Sequence, residues 1–279
     1  MLTASYAKIN LFLEVTGKLP HNYHQVNTVL CSIDLFDLLS YSIVDSPDVS
    51  FSCNIPSLDN NENLVYKIAD YLQKKFCIKQ GAAIHLEKHI PTAAGLGGGS
   101  SNAANCLLAL NDLWQLNISD MDMHRIATSF GSDLNFFLQG GTALGENRGE
   151  QTSPLPDILL DKVLLINPHI PIPSSLAYKL VDIPSPAQTR YFDSSNLSQT
   201  CFNRLEPGIR KAFPIIDSAL NTLHNYGAEV AMLSGSGSTC FGIFTDEAVM
   251  LRCKQHFMDL NFWCFCAKTL ARKDIKFSA

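Results

Sequence analysis

Gly95, Gly97, Gly98 and Gly99 fall within five residues, and Ser100 and Ser101 follow at once. From Asn102 to Leu116 the apolar residues Ala103, Ala104, Leu107, Leu108, Leu110, Leu113 and Trp114 recur at helical spacing. The stretch therefore reads as a glycine loop opening a helix. Glycine admits positive φ and lets a ligand approach the backbone. The first amides of a helix have no intrahelical acceptor, and the macrodipole adds positive potential there. Such a place favours a bound anion, most simply a phosphate. A plain flexible turn is the alternative reading of a glycine run, and the long apolar helix behind it counts against that. No Gly-Lys-Ser/Thr closes the stretch, so it is not a P-loop. It also lacks the glycine spacing and later acidic residue of a dinucleotide site.

A second group of candidates lies near the start. Tyr6 to Val15 alternates, with Ala7, Ile9, Leu11, Leu13 and Val15 on one side and Tyr6, Lys8, Asn10, Phe12 and Glu14 on the other. This is a strand that places Lys8 and Asn10 on one face, about 7 Å apart. Most lysines face solvent, but Lys8 sits inside an apolar segment, so its face is a candidate for cover. Tyr23 and His24 follow a turn-rich connection, Gly17 to Asn22. Taken alone they read as rim decoration, with stacking on a planar base as the alternative. Asp133 follows Gly131 and Ser132 and opens a short helical turn, 134–138. Gly140 to Gly145 and Ser234 to Thr239 are two further small-residue turns.

The elements that must position these groups follow from the rest of the chain. Strands are expected over Val26 to Leu39, Tyr41 to Ser52 and Ala82 to His89, and helices over Asn61 to Cys77 and from Ser119 to Phe130. Ser119 and Asp122 stand at capping-box spacing. Pro154, Pro156 and the aperiodic residues around them mark a boundary, giving domains 1–153 and 154–279. The second domain reads as α+β, with helices over one face of an antiparallel sheet, and Ile183 to Ser195 as a loop.

Composition narrows the function class. Of 279 residues, 46% are hydrophobic and 17% charged, which suits a sizeable core and not disorder. A net charge of −5 argues against a nucleic-acid partner. No apolar run reaches membrane-spanning length, and no secretory leader is evident. The nine cysteines are scattered, without C-x-x-C or zinc spacing, so free thiols and a cytoplasmic setting are expected and no metal-ligand set is assigned.

Pro91-Thr92-Ala93-Ala94-Gly95-Leu96-Gly97-Gly98-Gly99-Ser100-Ser101 resembles the second motif of the GHMP kinases, which phosphorylate small metabolites with ATP. The likeness extends to Ala7-Lys8-Ile9-Asn10-Leu11, Asn22-Tyr23-His24, Gly131-Ser132-Asp133, Arg148-Gly149-Glu150 and Gly235-Ser236-Gly237-Ser238. It implies a two-domain α+β fold, with an N-terminal domain like ribosomal protein S5 domain 2 and a C-terminal ferredoxin-like core. It implies ATP with Mg²⁺, the residues from Pro91 to Ser101 around the triphosphate, Asp133 as base and Lys8 as the charge beside it. Within the family the Lys8 and Tyr23-His24 runs resemble a branch whose small-molecule substrate carries a cytidine diphosphate group. There Tyr23 would stack on cytosine, His24 would bond its edge, Tyr178 would close the other side, and Asn10, Gly235 and Gly237 would face the substrate. A monomer or weak homodimer is expected. The adenine pocket is not assigned beyond the region between Asn54 and Tyr66.

Two positions depart from the family pattern. Asn135 stands where proline is usual, and Asn147 where glycine is common. Two rival readings remain: a GHMP kinase for another alcohol such as homoserine or mevalonate, and a non-catalytic nucleotide-binding protein of the same fold.

Overall fold

The computed structural model describes residues 1–20, 23–183 and 190–275. His21 and Asn22 of the expected turn and residues 184–189 of the expected loop lie outside the described residues.

Two sheets carry the fold. The first is built on two long strands, β1 (Leu2–Lys18) and β2 (His24–Val44), paired antiparallel along their length. β3 (Val49–Cys53) and β4 (Gly81–Glu87) extend it past the second half of β2. β5 (Thr142–Glu146) pairs with residues 28–31 of β2, and β6 (Gln151–Pro154) with β5. Four helices cover one face: α1 (Leu64–Lys75), α2 (Gly98–Leu113), α3 (Asp120–Phe130) and α4 (Leu134–Gln139). α1 starts where the Asn63 side chain accepts from the Val65 amide, and α3 where Ser119 accepts from Asp122. Each buries one stripe, Val65, Ile68, Ala69 and Leu72 in α1, against Leu107 and Leu110 of α2 and the sheet.

The chain leaves the first sheet after Pro154 and enters the second at β7 (Val163–Asn167). Next come α5 (Ser174–Lys179), α6 (Leu197–Thr200), β8 (Phe202–Asn203), α7 (Glu206–Ala212) and α8 (Pro214–Asn225). The chain ends in β9 (Val230–Leu233), β10 (Cys240–Ile243), α9 (Glu247–Asp259) and β11 (Trp263–Ala267). The second sheet is antiparallel in the order β11-β7-β10-β9. With α8 and α9 as crossovers this is the β-α-β-β-α-β connection of ferredoxin-like folds. Two pieces of this half return to the first sheet. β8 pairs parallel with β1, and Ile33 bridges Thr269. A single cut at 153/154 therefore does not describe sheet membership.

Alternation along β7 sets the packing. Leu164 and Ile166 turn to α8 and α9, while Val163 and Leu165 turn to Ala7, Ile9 and Leu11 of β1. The two halves thus share a continuous apolar layer with Phe241 and Ile243. Each such side chain contributes about 1.5–3 kcal/mol by burial, so this layer holds the halves in one relative position.

Candidate active site

A cavity of about 1280 Å³ opens where the loop before α2 meets the turn between β9 and β10. Its floor is β1. The expected alternation places Lys8 and Asn10 on the cavity side, and both line it. Beyond Asn10 the expected parity fails. The register slips between Asn10 and Phe12, a bulge that turns Leu13 to the cavity, while Phe12 packs on Phe192 and Phe202.

Lys8 is 4% exposed. Its ammonium donates to Asn10 Oδ1 and to the carbonyl of Gly95, each at 2.6 Å. Asn10 is fixed in turn by donating to Thr28 Oγ1 at 2.8 Å. Asn10 thus supports Lys8 as well as facing the cavity. Burial lowers the pKa of Lys8, and the negative charge of Asp133 acts in the opposite direction. Asp133 lines the same cavity at the start of α4 and makes no capping bond with its side chain. It forms no direct ion pair with Lys8, and both line the cavity.

The glycine loop lies against β1, with the Lys8 amide donating to the Leu96 carbonyl at 3.1 Å. α2 begins at Gly98, earlier than the periodicity of its apolar residues indicates, so the glycines form its first turn. Gly97 has φ +69°, and a Cβ there would stand 2.6 Å from the Phe137 ring. The intrahelical ladder starts with the Ser101 amide on the Gly97 carbonyl at 2.9 Å. The amides of Gly98, Gly99 and Ser100 precede it and so have no intrahelical acceptor, and all three residues line the cavity. Pro91, Thr92, Ala93, Ala94, Gly95, Leu96, Gly97, Gly98, Gly99 and Ser100 all line the cavity. Ser101 does not. Its hydroxyl donates to the Tyr6 carbonyl at 2.6 Å and meets Ser5 Oγ at 2.7 Å, so it is turned into the protein and corrects the expectation of a phosphate contact.

The second half supplies the opposite wall. Gly235 and Ser236 line the cavity, and the ideal Cβ position of Gly235 is 3.0 Å from Lys8 Nζ. Gly237 sits behind them, its Cβ direction blocked by Leu233, which corrects its expected place at the cleft. Asn203 of β8 anchors this turn, donating to the carbonyls of Leu233 and Gly235 at 2.8 and 2.7 Å. β8 is itself held to β1 by a two-point pair between Arg204 and Glu14, at 2.6 and 2.8 Å.

At one end of the cavity three aromatic groups gather. The Tyr178 ring stacks on His24, with centroids 5.1 Å apart and planes at 21°. Tyr23 instead carries the Arg148 guanidinium over its ring at 4.9 Å. Tyr23, His24 and Tyr178 all line this end of the cavity, with His24 stacked on Tyr178 and Tyr23 beside them. Burial, and secondarily the charge of Lys18, lowers the pKa of His24 and favours its neutral form.

Sequence reasoning missed several lining residues. Leu86 and Lys88 stand at the far end, beside Leu58, Glu62, Asn63 and Leu64 of the region already named for adenine, and Lys18, Thr28, Arg148 and Lys179 flank the aromatic end. Lys88 was findable as the last cation before Pro91. Its partner Asp37, fully buried, was not: Lys88 Nζ donates to Asp37 Oδ2 at 2.6 Å, and the amides of His89 and Ile90 donate to Oδ1. Asn102 adds a fourth bond at 2.8 Å, tying α2 to the same carboxylate.

Comparison with known proteins agrees with this geometry. Residues 63–141 match the model of the GHMP kinases N terminal domain, and residues 193–255 that of the GHMP kinases C terminal domain. A relative from Thermodesulfovibrio yellowstonii, named 4-diphosphocytidyl-2-C-methyl-D-erythritol kinase, is 34% identical over 97% of this chain and 98% of its own. A relative of the same name from Geobacillus kaustophilus is 36% identical over 88% and 89%. The crystal structure of a 4-(cytidine 5'-diphospho)-2C-methyl-D-erythritol kinase superposes with TM-score 0.84 at 27% identity, covering 96% of this chain and 99% of that one. Mevalonate kinase from Methanococcus jannaschii shares the fold, with TM-score 0.71 at 13% identity over 97% and 98%. The chain belongs to the GHMP kinase family of ATP-dependent small-molecule kinases.

Proposed function

We propose that this protein transfers the γ-phosphate of ATP to the 2-hydroxyl of 4-diphosphocytidyl-2-C-methyl-D-erythritol, a step of non-mevalonate isoprenoid synthesis. One observation carries the reading. A single cavity joins a helix N-terminus suited to phosphates, the Lys8 and Asp133 pair, and an aromatic end suited to a pyrimidine. The relatives' names agree with it.

In this reading Asp133 accepts the hydroxyl proton as the oxygen attacks. Lys8, held rigidly by Asn10 and the Gly95 carbonyl, places its ammonium at the developing charge. The amides of Gly98, Gly99 and Ser100 bind phosphate oxygens. Phosphoryl transfer asks mainly for positioning and charge stabilisation, and Lys8 is held before substrate arrives. The base sits at the His24 and Tyr178 end. Arg148 lies between Tyr23 and Gly149, whose ideal Cβ position is 3.9 Å from Asp133 Oδ1. It therefore stands over the path that a diphosphate must take from base to hydroxyl. The far end, lined by Leu58, Asn63, Leu64 and Leu86, takes the adenine.

Among the described residues no group of three or more His, Cys, Asp or Glu side chains is placed to hold a metal ion. Mg²⁺ that arrives on ATP asks for little more than one or two oxygen donors besides phosphate and water. Asp133 and Ser100 fit that requirement, and the ion would neutralise charge on the β- and γ-phosphates. Residues 1–153 form the nucleotide and catalytic half and 154–279 the other wall. The protein works in the cytoplasm as a monomer or weak homodimer, without nucleic acid.

The test is ADP release with Mg²⁺–ATP and the cytidyl substrate, with homoserine and mevalonate run alongside. Release with the cytidyl substrate alone is expected. Release only with homoserine or mevalonate overturns the substrate, and ATP binding without release from any of the three overturns the kinase role.

A further inference from the structure

Asn135 is 4% exposed, two residues after Asp133, and its side chain is bonded to two separate elements. Nδ2 donates to Thr128 Oγ1 of α3 and to the carbonyl of Glu150, both at 2.8 Å. With both amide hydrogens used, Oδ1 is the acceptor. It receives His124 Nδ1 at 3.1 Å, which places the imidazole proton on that nitrogen. His124 Nε2 then faces Gln139 Nε2, at the other end of α4, at 3.4 Å. Thr128 is itself oriented by donating to the His124 carbonyl.

The second element is the turn 147–150. Asn147 has φ +60°, in the region glycine favours and asparagine tolerates, and its amide bonds the Glu150 carboxylate. The Glu150 carboxylate also takes the Arg148 amide at 2.9 Å. The turn is thus braced internally and hung on Asn135 through the Glu150 carbonyl. It is the turn whose Gly149 lies beside the Asp133 carboxylate.

Asp133 has no capping bond, so the first turn of α4 alone aims its carboxylate. α4 is only six residues long, too short to hold its own direction. We infer that Asn135 is a positioning residue: it locks the start of α4 between α3 and the 147–150 turn and so fixes the aim of Asp133. It replaces by three hydrogen bonds what a proline at this place would supply by rigidity. The inference rests on the reading of Asp133 as the base.

The test compares Asn135→Leu, Asn135→Pro and the milder Thr128→Val with Asp133→Asn, using folded protein checked by circular dichroism. Loss of aim lowers kcat by about tenfold or more for Asn135→Leu, since small misplacements of a reacting group cost rate steeply, whereas Asn135→Pro, which restores rigidity in the first turn, should lose less. KM for ATP and for the cytidyl substrate should change less than twofold. Thr128→Val should show a smaller loss of the same kind, and added to Asn135→Leu it should cost less than the two losses together. A normal kcat in folded Asn135→Leu, with Asp133→Asn inactive, overturns the positioning role and leaves the base assignment standing. If Asn135→Leu does not fold, a normal kcat in Thr128→Val has the same force. Full activity in Asp133→Asn overturns the reading beneath both.

Discussion

Gly95→Ala tests how the two halves assemble the site. Gly95 has φ +74°, and a Cβ there would lie 2.0 Å from the Ser234 carbonyl oxygen and 2.9 Å from the Gly237 nitrogen. Both are backbone atoms, so no side chain can swing aside. To reach even 3.0 Å, the carbonyl must retreat by 3.0 − 2.0 = 1.0 Å. That retreat pulls on three bonds: Ser234 Oγ to the Gly95 carbonyl, Lys8 Nζ to the same carbonyl, and the Thr239 amide to the Ala94 carbonyl. A left-handed alanine costs about 1–2 kcal/mol. A lost bond to the charged Lys8 adds about 1.5–3 kcal/mol. A reacting group displaced by about 1 Å can lose on the order of 10²-fold in rate. The expected result is a kcat/KM for ADP release reduced by about 10²-fold, with a lower midpoint of thermal unfolding. A variant with wild-type turnover and midpoint would refute the claim that Gly95 is the contact on which Lys8 and the second half depend.

Other perturbations reach other parts of the account. Burial lowers the Lys8 pKa, so the turnover that needs its ammonium should fall on the alkaline side below 10.5; a limb at or above 10.5 contradicts this. The sign for stability follows. Between the folded pKa and 10.5 the unfolded chain holds the extra proton, so the contribution of Lys8 to stability rises with pH there, measurable by urea titration. Asp37→Asn leaves the buried Lys88 ammonium without its counter-charge and should cost about 3–5 kcal/mol in urea unfolding; a loss under 1 kcal/mol would be evidence against the anchor, since that is about the worth of an exposed pair. Tyr178→Ala removes the stack on His24, worth about 0.5–1.5 kcal/mol. It should raise KM for the cytidyl substrate about two- to tenfold and leave KM for ATP unchanged.

What the sequence made legible was local. The period of two that put Lys8 and Asn10 on one face, and the glycines ahead of an apolar helix, are short-range patterns, and the structure keeps both. The failures are where a distant element decides. The bulge after Asn10 arises from pairing with β2 and turns Leu13 to the cavity in place of Phe12. Ser101 looks like its neighbour Ser100 in the chain, yet Tyr6 and Ser5 of β1 draw its hydroxyl inward. β8 is two residues long and carries no signal of its own, but its pairing with β1 lets Asn203 hold the Gly235 turn. Asp37 sits in a strand that reads as ordinary alternation, and only the return of residues 88–90 and Asn102 makes it an anchor. Asn135 and Asn147, departures from the family pattern, have partners that only the folded turn brings near.

The central claim is that Asp133 and Lys8 act on one hydroxyl at the mouth of the glycine helix. Its most direct test is a quenched single-turnover measurement of label transfer from γ-labelled ATP to 4-diphosphocytidyl-2-C-methyl-D-erythritol, wild type against Asp133→Asn. The account predicts labelled product in the wild type, and a transfer rate lower by about 10²- to 10⁴-fold in the variant with ATP affinity retained. Transfer at the wild-type rate in a folded Asp133→Asn protein would contradict it.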